Sequence, residues 1–220
     1  MKKRKKLFAA IAALSLILIL ITGCSSEEKQ TLNILNYDIY IDKSLISEFE
    51  KENNVKIKYD TYATPEEMYI QAKAGASNYD LIISSEYMIE RMISERMANK
   101  LNFENIPNYK YIGKDFKNQP YDPDNEYAVP YFWGTLGILY NKNNVDASSD
   151  SWKMLWDKNH EKRIIMMDSQ RDAFAAALKL LGYSLNTVNE NELDKAKQLL
   201  IEQRPLVMAY VTDGAPDIMV

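Results

Sequence analysis

The chain has 220 residues, 27 of them basic and 31 acidic, for a formal charge of −4. Mild acidity argues against nucleic acid as a partner, because phosphates call for Lys and Arg patches. The single cysteine excludes an internal disulfide, and one histidine with no second cysteine excludes a His/Cys metal cluster.

Residues 1–6 read MKKRKK, and residues 7–21 are apolar except for Ser15. This is a charged start, an apolar stretch and a small-residue end, the order of an export signal. The stretch is short for a membrane-spanning helix, which needs about 20 residues; an uncleaved anchor helix is the alternative. The run Leu20-Ile21-Thr22-Gly23-Cys24 resembles a bacterial lipobox. The resemblance implies a signal peptide over residues 1–23 and acyl chains on Cys24, and two or more chains anchor a protein stably. Without the five basic residues at positions 2–6 the balance is 22 basic against 31 acidic, which suits a cationic ligand. Residues 24–31 are a polar tether.

Next comes an alternation of strands and helices. Residues 32–35 (LNIL) predict a strand, and residues 42–53 a helix with Leu45, Ile46 and Phe49 on one face. Residues 55–59 (VKIKY) alternate as a half-buried strand does. Thr64 as N-cap, Pro65 and two acids start a helix that Gly75 ends. Residues 80–84 (DLIIS) predict a parallel strand covered on both faces, and residues 87–97 a helix. This βαβαβα order argues for an α/β fold with a parallel sheet. Residues 102–125 are polar and predict a long surface excursion. Residues 126–140 (EYAVPYFWGTLGILY) are apolar and too long for one ordinary strand, so they are expected to cross from one lobe to another. A short helix is expected over 149–156, a strand over 163–167, helices over 171–181 and 193–201, and a strand over 206–210. Gly182 is expected to cap the first of these two helices.

Three loops stand just beyond predicted strand ends, where α/β sheets place ligands. The first holds Tyr37, Asp38 and Tyr40, and reads either as a ligand loop or as a turn of packed aromatics. The second holds Ser85, Glu86 and Tyr87; Ser85 is also a good helix cap. The third holds Asp168, Ser169 and Asp172, acids that also suit a helix start. Fifteen tyrosines supply ring faces that attract cations, although most must simply pack. No nucleophile elbow and no glycine-rich phosphate loop is present. A hydrolase would therefore lack its machinery, and neither enzyme activity nor a cofactor or metal is expected.

Residues 79–87 (YDLIISSEY), 129–134 (VPYFWG), 151–156 (SWKMLW) and 178–184 (LKLLGYS) together resemble the bacterial spermidine/putrescine-binding proteins of ATP-driven importers. The resemblance covers residues 32–220. It implies a two-lobed periplasmic-binding-protein-like α/β fold, with lobe 1 over residues 32–130 and a crossover and partial lobe 2 over 131–220. It implies a polyamine held between aromatic rings, with acids and hydroxyls on its ammonium groups, and delivery to an ABC permease by a monomer. Tyr37 stands where the family usually has tryptophan, and Tyr40, Ser85 and Tyr87 match a tyrosine, a serine and a tyrosine. Asp168 matches an acid, Ser169 stands where aspartate is frequent, and Asp172 stands where the family has glutamate. These departures leave the choice of polyamine open. The family chain continues for about another hundred residues, so the second lobe is expected to be incomplete at Val220 and the binding of this chain weak. The expected place is the outer face of the cell membrane, on the periplasmic side or the cell surface. Two alternatives stay open: a binder of another small cation such as thiamine, or a surface lipoprotein acting as adhesin or sensor.

Overall fold

A computed structural model describes residues 29–75, 78–145, 151–212, 214 and 218. The export segment and residues 24–28 of the tether, Cys24 among them, lie outside these residues, as does the start of the helix expected over 149–156. Among the described residues the strands and α-helices are β1 (Thr31–Tyr37), α1 (Lys43–Asn53), β2 (Lys56–Tyr62), α2 (Pro65–Ala74), β3 (Leu81–Ile82), α3 (Glu86–Ser94), β4 (Ile164–Met167), α4 (Gln170–Leu181), α5 (Glu190–Gln203) and β5 (Val207–Val211). They form two sheets, ordered β2-β1-β3 and β4-β5.

By its contacts the chain falls into two compact units. The smaller takes in residues 29–32 and 43–58 of those described. In it, Asn54 turns the chain at a left-handed φ of 50°, a conformation asparagine tolerates. Glu50 then accepts the Ile57 N–H at 2.7 Å. The sequence suggested that α1 buries a face, but none of its residues is buried, and Leu45 and Phe49 are exposed.

Among the described residues the larger unit holds three buried clusters, of which the smallest, Ala177, Leu178 and Ala196, joins α4 to α5. In the first, Leu35, Tyr62, Met68, Tyr69, Met88 and Met92 pack together. Strands β1 and β3 are parallel, with Ile34 opposite Leu81 and Leu35 opposite Ile82. Asp80 staples the start of this pairing: its carboxylate accepts the Asn33 backbone N–H at 2.8 Å and the Asn33 amide at 3.1 Å. Its own N–H donates to the Asn33 carbonyl at 2.9 Å. Strand β3 is shorter than residues 80–84, and Leu81 is exposed, so the apolar run is not covered on both faces. Helix α2 starts and stops as its residues dictate. Thr64 Oγ1 accepts the Glu67 N–H at 3.3 Å, and Gly75 caps the end at φ 64°.

A solvent-facing clamp ties α2 to the end of α3. Tyr69 donates to Glu95 at 2.7 Å, while Lys73 and Arg91 each reach the same carboxylate at 2.9 Å. The Arg91 guanidinium lies 3.8 Å from the centre of the Tyr69 ring.

In the second core Ile164, Met166, Ala176, Leu206 and Val207 meet Trp152, Leu155 and Trp156. Strands β4 and β5 are parallel, from Ile164 opposite Val207 to Met167 opposite Val211, with an irregularity after Ile164. Gln203 is fully buried, and its amide donates to the Leu155 carbonyl at 2.9 Å. The Trp156 indole N–H donates to the Leu199 carbonyl at 2.8 Å. Where a short helix was expected over 149–156, the described part is a 3-10 turn, Trp152–Trp156.

The excursion over 102–125 contains three short 3-10 turns and is organised by Asp122. This buried carboxylate accepts the N–H groups of Glu126, Tyr127 and Ala128, each at 2.9 Å. Residues 128–141 run on in no regular element, with Tyr131, Phe132, Trp133 and Leu139 at least half exposed. The apolar crossover is thus not a strand among the described residues.

Two measurements test this account. Leu35→Ala should cost about 2–5 kcal/mol, the usual range for a fully buried leucine, in urea unfolding. The hydroxyl of Tyr69, then Lys73 and Arg91, hold the Glu95 carboxyl down to about 2. A carboxyl lowered in the folded state stabilises above its unfolded value and ceases to as pH falls through its folded value. Glu95→Gln should therefore lower the urea midpoint at pH 7, and the deficit should vanish between about pH 4.5 and pH 2.

Candidate functional site

The segments just beyond the ends of the strands, with the starts of α2, α3 and α4, line one cavity of about 260 Å³. Tyr37 and Tyr40 come from the end of β1 and its loop, and Ser85, Glu86 and Tyr87 from the start of α3. Asp168, Ser169, Arg171 and Asp172 come from the end of β4 and the start of α4. Ala63, Thr64, Pro65, Met167 and Thr212 complete the lining.

The register of β1 against β3 sets the first wall. Two residues past Leu35, the Tyr37 hydroxyl meets Ser85 Oγ at 2.9 Å. The Tyr37 ring packs against Tyr40 at 4.6 Å and Tyr62 at 4.5 Å between centres, and Tyr40 meets Phe132 edge-on at 5.7 Å. The loop backbone is held as well. Asn36, buried at the strand end, accepts the Tyr37 N–H at 2.8 Å, and the Tyr59 hydroxyl donates to the Tyr37 carbonyl at 3.2 Å. Tyr131 donates to the Tyr40 carbonyl.

The opposite wall is set by β4 and β5. The Asp168 N–H donates to the Val211 carbonyl at 2.7 Å, continuing the ladder one step. Ser169 then caps α4, its hydroxyl accepting the Asp172 N–H at 3.3 Å. Asp172 is half-buried, whereas Asp168 and Glu86 are exposed. The Arg171 guanidinium stands 5.7 Å from the centre of the Tyr87 ring.

Burial pushes the Tyr37 hydroxyl up, with the Asp172 charge adding to it, and Ser85 opposes the shift. Burial also raises the Tyr87 hydroxyl, reinforced by the Glu66 carboxylate to which it donates at 3.1 Å. Tyr62 is raised too, first by burial, and donates to the Ile83 carbonyl. These rings therefore offer neutral faces and dipoles at physiological pH.

The structure brings together Tyr37, Tyr40, Ser85, Glu86, Tyr87, Asp168, Ser169 and Asp172 from the sequence candidates. Asp38 is exposed and is not among the lining residues; its charge acts on Tyr59 instead. Adjacent residues at a strand end normally diverge, yet Asp168 and Ser169 both line the cavity, because Ser169 has already left the strand as helix cap. Sequence reasoning missed Ala63 to Pro65, Met167, Arg171 and Thr212 as lining residues. The rule that ligands sit beyond carboxyl ends of strands, applied to the ends of β2 and β5, points to Ala63 and Thr212. Among the described residues no group of three His, Cys, Asp or Glu is placed to hold a metal ion.

What can such a cavity hold? It is smaller than the roughly 300–1,000 Å³ sites that take drug-sized molecules. Its charged lining is three carboxylates and one guanidinium, a formal charge of −2. Ring faces and carboxylates together suit a slender organic cation.

Residues 44–218 match the model of the bacterial extracellular solute-binding protein family. The spermidine/putrescine-binding periplasmic protein of Escherichia coli is 33% identical over 216 residues, covering 97% of this chain and 61% of that protein. A solved structure from Listeria monocytogenes, provisionally named a spermidine/putrescine ABC transporter, superposes with a TM-score of 0.83 at 37% identity, covering 87% of this chain and 60% of that one. The TpPotD lipoprotein of Treponema pallidum gives 0.77 at 36%, covering 84% and 59%. The chain thus spans about three fifths of the length of these relatives. The fold is the α/β fold of periplasmic binding proteins, over about three fifths of their length and with the second lobe incomplete.

The raised hydroxyls give a spectroscopic expectation. In an alkaline titration followed by tyrosinate absorbance, Tyr87→Phe should leave the rise near pH 10 unchanged and reduce only the part at higher pH.

Proposed function

The chain belongs to the bacterial extracellular solute-binding protein family, and from that premise we propose that it binds a polyamine outside the cytoplasm for an ABC importer. The observation that supports this is one cavity lined both by Tyr37, Tyr40 and Tyr87 and by the carboxylates of Glu86, Asp168 and Asp172. Methylene segments lie against the rings, and ammonium groups pair with the acids. Asp172 is the principal partner, since it is half-buried and close enough to act electrostatically on both Tyr37 and Tyr87. A half-buried carboxylate gains most from a cation, because fewer waters compete.

No covalent chemistry is assigned to the site. Residues 32–130 form the first lobe of this reading and residues 131–220 the crossover and part of the second. The protein acts as a monomer, tethered through acyl chains on Cys24 to the outer face of the membrane, where the permease subunits sit. Support for the anchor is the lipobox-like run at positions 20–24.

Thermal unfolding of the full chain, titrated with putrescine, spermidine, thiamine and lysine, tests the reading. One polyamine at 100 times its dissociation constant should stabilise the fold by about 2.7 kcal/mol. Asp172→Ala should remove most of that shift, and should lower the unliganded midpoint only slightly, by the loss of one acid at a helix start. A folded protein that answers to no amine would refute the reading and favour a surface lipoprotein without transport. A shift with thiamine alone would replace the cargo and keep the class.

A further inference from the structure

Among the described residues Arg171 is the one basic residue lining the cavity; the other charged linings, Glu86, Asp168 and Asp172, are carboxylates. Its guanidinium does not simply trail into solvent. It stands 5.7 Å from the centre of the Tyr87 ring, within the range where a ring face attracts a cation. It is held from behind as well, because Nη2 donates to the Asn186 side-chain oxygen on the loop after α4. A planar fork anchored at one edge loses little further freedom when its face meets a ring. An organic cation of the chain itself thus occupies a position that would otherwise be open to a ligand's ammonium group.

We propose that Arg171 is a specificity-determining residue: it fills the cation seat over Tyr87 and so favours ligands with two ammonium groups over those with three. The inference rests on the polyamine reading above. With Arg171 in place the lining carries a formal charge of −2, which two ammonium groups neutralise. A third ammonium must displace the guanidinium from the ring or remain beside a like charge. Neutral Tyr87 cannot compensate, since burial and Glu66 keep its hydroxyl protonated. Asn186 acts here as a positioning residue, exposed and outside the cavity lining, where it aims the guanidinium without touching the ligand.

Calorimetric titration of the full chain with putrescine and with spermidine, in the parent, R171Q and N186A, decides the matter. R171Q should tighten spermidine about three- to tenfold more than putrescine, the scale of one cation–π seat. N186A keeps every charge and should shift the same ratio in the same direction by a smaller factor. Equal change for both amines in R171Q, or a loss of affinity, overturns the proposal. A shift in R171Q with none in N186A also overturns it, since bulk charge and not the occupied ring would then be responsible. If R171Q fails to fold, the N186A ratio alone decides. If neither the parent nor N186A binds either amine, the polyamine reading itself fails, and this inference with it.

Discussion

Parallel pairing between β1 and β3 sets Leu35 opposite Ile82, and the places of Tyr37 and Ser85 in the cavity lining follow from it. Parallel strands deliver their carboxyl ends to one side, so the loops after them gather there. Tyr37 and Ser85 meet at 2.9 Å because each lies a fixed distance beyond a paired residue. Strands β4 and β5 do the same for Asp168 and Thr212. The arrangement carries an electrostatic difficulty. Helices α3 and α4 both begin at the cavity, and helix N-termini are partially positive. A cation would be unwelcome there but for Glu86 and Asp172, which stand in the first turns. The same two carboxylates stabilise the helices and reverse the sign of the potential that a ligand meets.

The tyrosine cluster works on another principle. Tyr37, Tyr40 and Tyr62 pack with centres 4.5 to 4.6 Å apart, and burial is the first cause of the raised Tyr37 and Tyr62 hydroxyls. A ring that stays neutral offers its face to a cation without competing for it. Tyr62 anchors the stack from beneath, packed in the core and bonded to the Ile83 carbonyl just beyond the end of β3.

Local signals were legible in the sequence because their causes are local. Thr64, Gly75 and Gly182 cap the helices that their side chains, or the lack of one, predict. The candidate loops were legible for a similar reason, since a loop beyond a parallel strand has only one side to occupy. What stayed illegible depends on distant partners. Residues 128–141 are apolar, yet apolarity says only that water is unwelcome and does not say what excludes it. Leu45 and Phe49 share a helical face, but none of α1 is buried among the described residues. Asp38 sits between two tyrosines that line the cavity and itself lies outside the lining, a matter of one residue's direction in a turn. Arg171 was passed over because its position in sequence suggested only a charged helix start; its meeting with Tyr87 belongs to tertiary structure.

Ser169 joins two duties that are usually separate, capping α4 and lining the cavity. Serine and aspartate are about equally good at a helix N-cap. Exchange between them at this position alters the charge a ligand meets by a full unit and leaves the helix as well capped as before. A lineage can thus move between cargoes of different charge through a single residue with little loss of stability along the way. Most sites couple new specificity to weakened folding. Here the backbone N–H of Asp172 can donate to either side chain, so the capacity to change charge at the cavity is part of how the helix begins.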